Sequence, residues 1–412
     1  MNIKIDQSVL SHDLQALSGV SASPAPAVTR VVFSSTDLQG RDFVKRLCVQ
    51  AGLAVREDPV GNTFARWLGS EPDLAPVATG SHIDAIPNAG MYDGTVGVLG
   101  GLEAFRALAR SGYRPRRSID LIIFTAEEPT RFGIGCLGSR LMAGVLNASA
   151  GESLIDKEGQ TLNEIRRAAG FLGPLYEVAL SPGHYSAFVE LHIEQGPLLE
   201  EKQLEIGVVK AIAAPASLRI EIEGEGGHAG AVLMPDRRDA FLAAAEIALA
   251  VEAAAKATGS RDTVATCGVC DVFPGAVNSI PRRARLEVDV RDIDVARRDG
   301  VLRAIAAATE ETAERRVVTV RTDVVNADAP ALCAPGIIDV VERACKTHQA
   351  SYETMISRAY HDSLFMSAIA PTAMIFIPCR GGVSHRPDEY SSPKAIARGA
   401  LILAEALAEL AA

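Results

Sequence analysis

Ile119-Asp120-Leu121-Ile122-Ile123-Phe124-Thr125-Ala126-Glu127-Glu128-Pro129 is the stretch on which the reading of the fold turns. It begins as a near-continuous apolar run, ends in two adjacent carboxylates and is closed by proline. A short run of this kind fits a strand buried on both faces, the habit of parallel sheets. Three other stretches share the plan. Residues 75–82 lead into Ser81-His82-Ile83-Asp84, residues 187–193 carry Glu190-Leu191-His192, and residues 372–379 are followed, after a glycine turn, by Ser384-His385. Asp93, before Gly94, adds a fifth candidate in a sharp loop. Ligand sites in an open α/β sheet gather at the carboxyl ends of strands. Histidines and carboxylates collected there meet the needs of one divalent metal ion or a pair.

Helical patterns lie between these strands, at 36–52, 95–111, 136–146, 335–349 and 393–411. The alternation predicts an α/β fold, a mostly parallel sheet with helices on both faces. The middle of the chain differs. Strand-like segments at 216–224, 263–273, 284–291 and 316–324 bracket helices near 236–257 and 294–314. That β-α-β-β-α-β order is ferredoxin-like. Leu218 to Glu223 alternates apolar and charged, so one face of this smaller sheet meets solvent or a partner. The expected organisation is a metal-binding catalytic domain of residues 1–211 and 331–412, with 212–330 inserted as an α+β lid and dimerisation domain.

Composition removes several function classes. A net charge of −10 argues against nucleic acid or an anionic membrane as partner. No apolar run reaches the length of a membrane span. Met1 to Val20 shows no basic segment followed by an apolar core, so no secretory signal is expected. Seven cysteines, an odd number, suit a reducing cytoplasm. Cys267-Gly268-Val269-Cys270 lies in an expected strand, where an offset of three sends side chains to opposite faces and reads as structural.

His82 and Asp84 stand two apart, so one can ligate while the other orients it. Asp93 could bridge two metals through its two oxygens. Glu127 and Glu128 point apart, which lets one ligate while the other works as a base on water. His192 and His385 complete two sets. Each residue alone has a plainer reading, as a hydrogen-bonded interior histidine or a solvated acidic turn. Their coincidence at equivalent sheet positions argues for metal.

Gly80-Ser81-His82-Ile83-Asp84, Asp93-Gly94, Thr125-Ala126-Glu127-Glu128, His192-Ile193-Glu194-Gln195-Gly196, His228-Ala229-Gly230 and Gly382-Val383-Ser384-His385 form a set. It resembles the amidohydrolase branch of the zinc-dependent aminoacylase and carboxypeptidase clan. N-carbamoyl-L-amino-acid hydrolases, allantoate amidohydrolases and ureidoglycolate amidohydrolases make up that branch, and the likeness covers nearly the whole chain. The resemblance implies that His82, Asp93 and His192 hold one metal. It gives Asp93, Glu128 and His385 the second, with Asp93 bridging and Glu127 as general base beside Asp84. It implies a cis peptide at Asp93–Gly94. It makes His228 a residue that crosses a homodimer to polarise the scissile carbonyl. It assigns Asn278 and Arg291 to the substrate carboxylate, a task that suits the arginine fork, and Gln195 to a further polar contact. The implied reaction is hydrolysis of a ureido carbonyl to the free amine, ammonia and carbon dioxide.

Arg358-Ala359-Tyr360-His361-Asp362 departs from the pattern. Carbamoylases and allantoate hydrolases typically show Gly-Ala-Gly-His-Asp there. Tyr360 fills space a larger substrate side chain would use and brings a hydroxyl. The segment Met355 to Met366 looks most like the ureidoglycolate branch. The expected substrate is therefore a small ureido acid, ureidoglycolate first, touched by Tyr360 and His361. The alternatives are N-carbamoyl-L-amino acids, N-carbamoyl-β-alanine or allantoate and, further off, an aminoacylase, a dipeptidase or a non-catalytic metal-binding homologue. Loss of Glu127 or a ligand would mark the last, and none is lost. The donors suit two divalent ions per subunit, Mn²⁺ or Zn²⁺, with Co²⁺ and Ni²⁺ also compatible. The resemblance leans to Mn²⁺.

Overall fold

Ile119–Phe124 is a strand with no access to solvent, in a computed structural model that describes residues 2–412. Leu121, Ile122, Ile123 and Phe124 are each fully buried, and each contributes roughly 1.5–3 kcal/mol of apolar burial. The one acid in the run, Asp120, is paired with the guanidinium of Arg66, whose Nε and Nη2 each donate at 2.7 Å, and it accepts the Tyr185 hydroxyl at 3.2 Å.

The chain divides into two compact units, Met1–Ala211 with Leu332–Ala412, and Ile212–Ala331. The first is built on one sheet. Its longer strands are β1 (Ala54–Glu57), β2 (Thr63–Trp67), β3 (Val77–His82), β4 (Ile119–Phe124), β5 (Ala187–Ile193), β6 (Ile206–Ile212), β7 (Tyr352–Ser357) and β8 (Thr372–Ile377). Across the sheet they run β6-β8-β5-β3-β4-β2-β1, with β7 pairing β6. The expected α/β sheet is present. Its four central strands β8, β5, β3 and β4 are mutually parallel, and they carry the candidate residues toward one edge. The flanks β6, β2 and β1 are antiparallel.

Both faces are covered. The helix Thr95–Arg110 lies on β3 and β5 so closely that a Cβ on Gly97 would stand 2.4 Å from the Leu191 carbonyl oxygen. On the opposite face Ile122, Phe124 and Phe188 join Leu137, Met142, Leu162 and Met366 in one cluster. The helix expected over 136–146 is shorter, Leu137–Met142, because Gly144 turns to φ +69° two residues later.

The second unit is a four-stranded antiparallel sheet in the order Val264–Phe273, Arg283–Asp292, Ala214–Glu223, Thr319–Ala327. Helices Ala240–Ala257 and Val295–Arg316 bury one face against Leu218, Ile220, Ile222, Leu286 and Val288. Val317 ends the second helix in the left-handed conformation, which delays the last strand to Thr319. Asp239 and Asp294 cap the two helix starts.

Five cysteines, Cys48, Cys136, Cys333, Cys345 and Cys379, are buried, Cys267 is half-buried and Cys270 is exposed. A bulge between Cys267 and Val269 leaves Cys267 against the core of its unit. Among the described residues no helix is long and apolar enough to cross a membrane.

Candidate metal centre

β3 and β5 end side by side and deliver His82 and His192 with their rings 6.1 Å apart. Each Nδ1 lies 2.9 Å from a backbone carbonyl, of Asp84 for His82 and of Ile193 for His192. Donation from Nδ1 turns the Nε2 lone pair of a neutral ring toward a ligand, and the Gly94 N–H donates to Nε2 of His192 at 3.2 Å. Both Nε2 atoms face Asp93 Oδ1, at 3.5 and 3.1 Å. The other oxygen, Asp93 Oδ2, is 3.2 Å from His385 Nε2, which is 3.4 Å from Glu128 Oε1. Two triads result, His82–Asp93–His192 and Asp93–Glu128–His385, each with donor atoms within 4.8 Å of one another. All five expected ligands come together, and Asp93 belongs to both triads. Imidazole nitrogens and carboxylate oxygens in this ratio are a donor set for borderline divalent ions, so the residues fit the metal pair. The loop is shaped to the same end. Gly94 sits at φ +64°, and a Cβ there would lie 2.5 Å from the His82 ring.

A third trio, Glu190, His192 and His361, is equally close. Glu190 is already engaged by the Ser81 hydroxyl and by the N–H and hydroxyl of Ser363. It acts as a buried acceptor that fastens neighbouring segments.

The electrostatics follow from crowding acids below the protein surface. Burial alone would raise Asp93, but hydrogen bonds from His192, His385 and His82 outweigh it and hold the carboxyl well below its usual range. Burial, joined by the charges of Glu128 and Asp362, pushes Glu127 well up despite His82. Burial and Asp93 bring Glu128 to about 7. The hydrogen bond to Asp93 takes His385 to about 9.

Several supporting contacts have no signal in the linear sequence. The Asp84 carboxylate accepts the backbone N–H of Glu127 at 3.3 Å and of Glu128 at 3.0 Å, while its carboxylate stands 3.7 Å from His82. The orienting partner of His82 is thus the backbone oxygen of Asp84, and the side chain holds the two glutamates. Glu389 accepts the N–H groups of Tyr92 and Asp93, and the Ser384 hydroxyl lies 2.9 Å from both Glu389 and Asp93. Gln195 donates to Asp93 Oδ2 at 2.8 Å. Cys136 directs its thiol to Glu127 Oε1 at 3.4 Å. Ala126, Cys136, Gln195 and His385 all have positive φ, between 54° and 59°. Such conformations cost free energy and cluster where function requires them.

The remaining expected residues divide between the units. His361 is buried, with its ring 4.5 Å from His192 and its Nε2 2.9 Å from Ser357 Oγ. Tyr360, half-buried, receives a hydrogen bond from Arg140. In the second unit His228 is exposed, on a two-residue strand paired with Ser279–Ile280. Its Nδ1 accepts the Gly230 N–H at 3.1 Å, so the neutral ring carries its proton on Nε2. His228, Asn278 and Arg282 line one cavity of about 510 Å³ in that unit. Arg291 is turned to Asp289 of its own strand at 2.7 Å. The expected cis peptide is not found. Among the described residues the cis bonds are Ala25–Pro26 and Phe273–Pro274, and the turn after Asp93 is made by the positive φ of Gly94.

Residues 78–409 match the profile of peptidase family M20/M25/M40. A protein of Oryza sativa named ureidoglycolate hydrolase is 52% identical over 98% of this chain and 85% of its own. N-carbamoyl-L-amino acid amidohydrolase of Geobacillus stearothermophilus is 40% identical over 97% of both chains. The crystal structure of AtUAH in complex with (S)-hydroxyglycine superposes with a TM-score of 0.92 at 51% identity, covering 99% of this chain and 98% of that one.

Proposed function

We propose, from the premise that this chain belongs to peptidase family M20/M25/M40, that it is a metal-dependent amidohydrolase. Its reaction is cleavage of the ureido C–N bond of a small N-carbamoyl acid, ureidoglycolate first. The pair of triads sharing Asp93, with Glu127 alongside, carries the reading. The relatives named ureidoglycolate hydrolase support the substrate, and Tyr360 in place of a small residue supports a small pocket.

His82, Asp93 and His192 would hold one divalent ion, and Asp93, Glu128 and His385 the other. When bound, such a pair supplies positive charge that acidifies water and polarises a carbonyl. The protein's own groups do the rest. Glu127, pushed up by burial, takes the proton of the attacking water and returns it to the leaving nitrogen. The ureido C–N bond breaks, giving the amine and carbamate, which falls to ammonia and carbon dioxide; from ureidoglycolate the amine is 2-hydroxyglycine, which loses ammonia to give glyoxylate. His228 donates from Nε2 to the oxyanion, in a homodimer that brings it from a second copy. Asn278 and Arg291 are the proposed contacts to the substrate carboxylate, and Gln195, Tyr360 and His361 the other proposed substrate contacts. Free, mostly buried cysteines support a reducing cytoplasm as its place.

The test is an assay of chelated protein reloaded with Mn²⁺ on (S)-ureidoglycolate, N-carbamoyl-β-alanine, N-carbamoyl-L-amino acids and allantoate, following ammonia and glyoxylate. Metal-dependent glyoxylate release from the first, with little action on the others, is the expected result. Preference for a bulky carbamoyl amino acid would keep the chemistry and overturn the substrate. Silence on all four would overturn the amidohydrolase.

A further inference from the structure

The helix Leu137–Met142 and the segment Tyr360–Met366 meet beside the glutamates. Polar contacts join them. Ser139 Oγ donates to Asp362 Oδ1 at 2.5 Å, and Arg140 Nη2 donates to Tyr360 Oη at 3.0 Å. Arg140 is only 4% exposed, and a charge so placed needs compensation. Its Nε donates to the Gly135 carbonyl at 2.8 Å. Its guanidinium carbon lies 4.2 Å from the ring centroid of Phe365 and 5.6 Å from that of Tyr360. Those two rings are nearly parallel, at 16° and 6.1 Å. The planar cation is held against two aromatic rings while its edge meets the phenol oxygen, an arrangement an ammonium cannot copy.

The two segments also reach the candidate site. Arg140 sits one helical turn beyond Cys136, whose thiol meets Glu127. Tyr360 precedes His361, whose ring stands against His192.

We infer that Arg140 is a positioning residue for Tyr360 and, through it, a determinant of substrate choice. The guanidinium fixes the phenol and polarises its oxygen. The phenol then distinguishes a small ureido acid bearing an α-hydroxyl from one without it. The inference rests on the proposed role of Tyr360, so the experiment separates the two.

The measurement is kcat/KM for (S)-ureidoglycolate divided by that for N-carbamoylglycine, which lacks the hydroxyl. It is made on the metal-loaded parent, Tyr360→Phe, Arg140→Met, Arg140→Lys and the double variant Arg140→Met with Tyr360→Phe. Loss of a hydrogen bond to a substrate hydroxyl should lower the ratio for Tyr360→Phe by roughly 10- to 100-fold. Arg140→Met should lower it by at least half as much on a logarithmic scale, and the double variant should fall no further than Tyr360→Phe alone. Arg140→Lys keeps the charge and guards against misfolding. It should still lose roughly fivefold or more of the ratio, for want of the planar fork. A drop for Tyr360→Phe with none for either Arg140 variant overturns the inference alone. Additive effects in the double variant overturn it too, because Arg140 would then act independently. An unchanged ratio in Tyr360→Phe overturns the role of Tyr360 and the inference with it.

Discussion

Replacing Asp84 with alanine separates two ways in which this residue could serve the site. Its carboxylate accepts the N–H of Glu128 at 3.0 Å and of Glu127 at 3.3 Å, and it is 1% exposed. Removing it strands both donors where water does not replace it. The shorter bond to a charged acceptor is worth about 2 kcal/mol and the longer one about 1 kcal/mol. Together they make about 3 kcal/mol, or roughly 100-fold in an equilibrium that needs the glutamates in place. His82 should feel little, because its Nδ1 bonds to the backbone oxygen of Asp84, which alanine keeps. The triad containing Glu128 should therefore lose metal affinity by roughly 100-fold, while the His82–Asp93–His192 triad keeps its own. Titration of the chelated variant with Co²⁺, read by absorbance and by metal content after gel filtration, should give one tight equivalent and one weak. Loss of both equivalents, or two of unchanged affinity with full activity, would refute the reasoning.

Glu127→Gln keeps shape and all five candidate ligands, so metal content should be unchanged while kcat falls by roughly 10²- to 10⁴-fold; a variant that loses metal, or one that turns over normally, would remove Glu127 as the base. Metal binding to chelated protein should release protons. His385, raised to about 9 by its bond to Asp93, is protonated at neutral pH and must lose that proton to ligate. Apparent affinity should thus rise with pH up to about 9 and fall below it. Calorimetry in two buffers of different ionisation enthalpy should show heats that differ accordingly, and identical heats would count against His385 as a ligand.

The parts of this fold that the sequence announces are those where burial dictates composition. Strands β3, β4, β5 and β8 are sealed on both faces, so they read as apolar runs, and a histidine or acid at the end of such a run stands out. β1 is mostly exposed and short, and its residues carry no pattern that separates them from a loop. The site divides in the same way. Residue types with a chemistry of their own, such as His82 or Glu127, are conspicuous. Glu389 and Arg140 act only through approach across the fold, 296 positions from Asp93 in the case of Glu389. The positive φ of Ala126 is equally silent, since alanine has no compositional link to that conformation. Asp84 was visible as a residue, but whether its side chain or its backbone faced His82 depended on where the loop carried the carboxylate.

The distribution of thiols gives the molecule a built-in labelling address. Burial pushes Cys48, Cys333 and Cys345 up to about 12 and Cys379 to about 11, and burial beside Glu127 holds Cys136 well above the usual thiol value. Thiolate is the reactive form, so these five are shielded twice, by packing and by protonation. Cys270 alone combines solvent exposure with a free sulfur. A maleimide dye at neutral pH is directed to one strand of the insert, and the unit that carries the two triads stays chemically untouched.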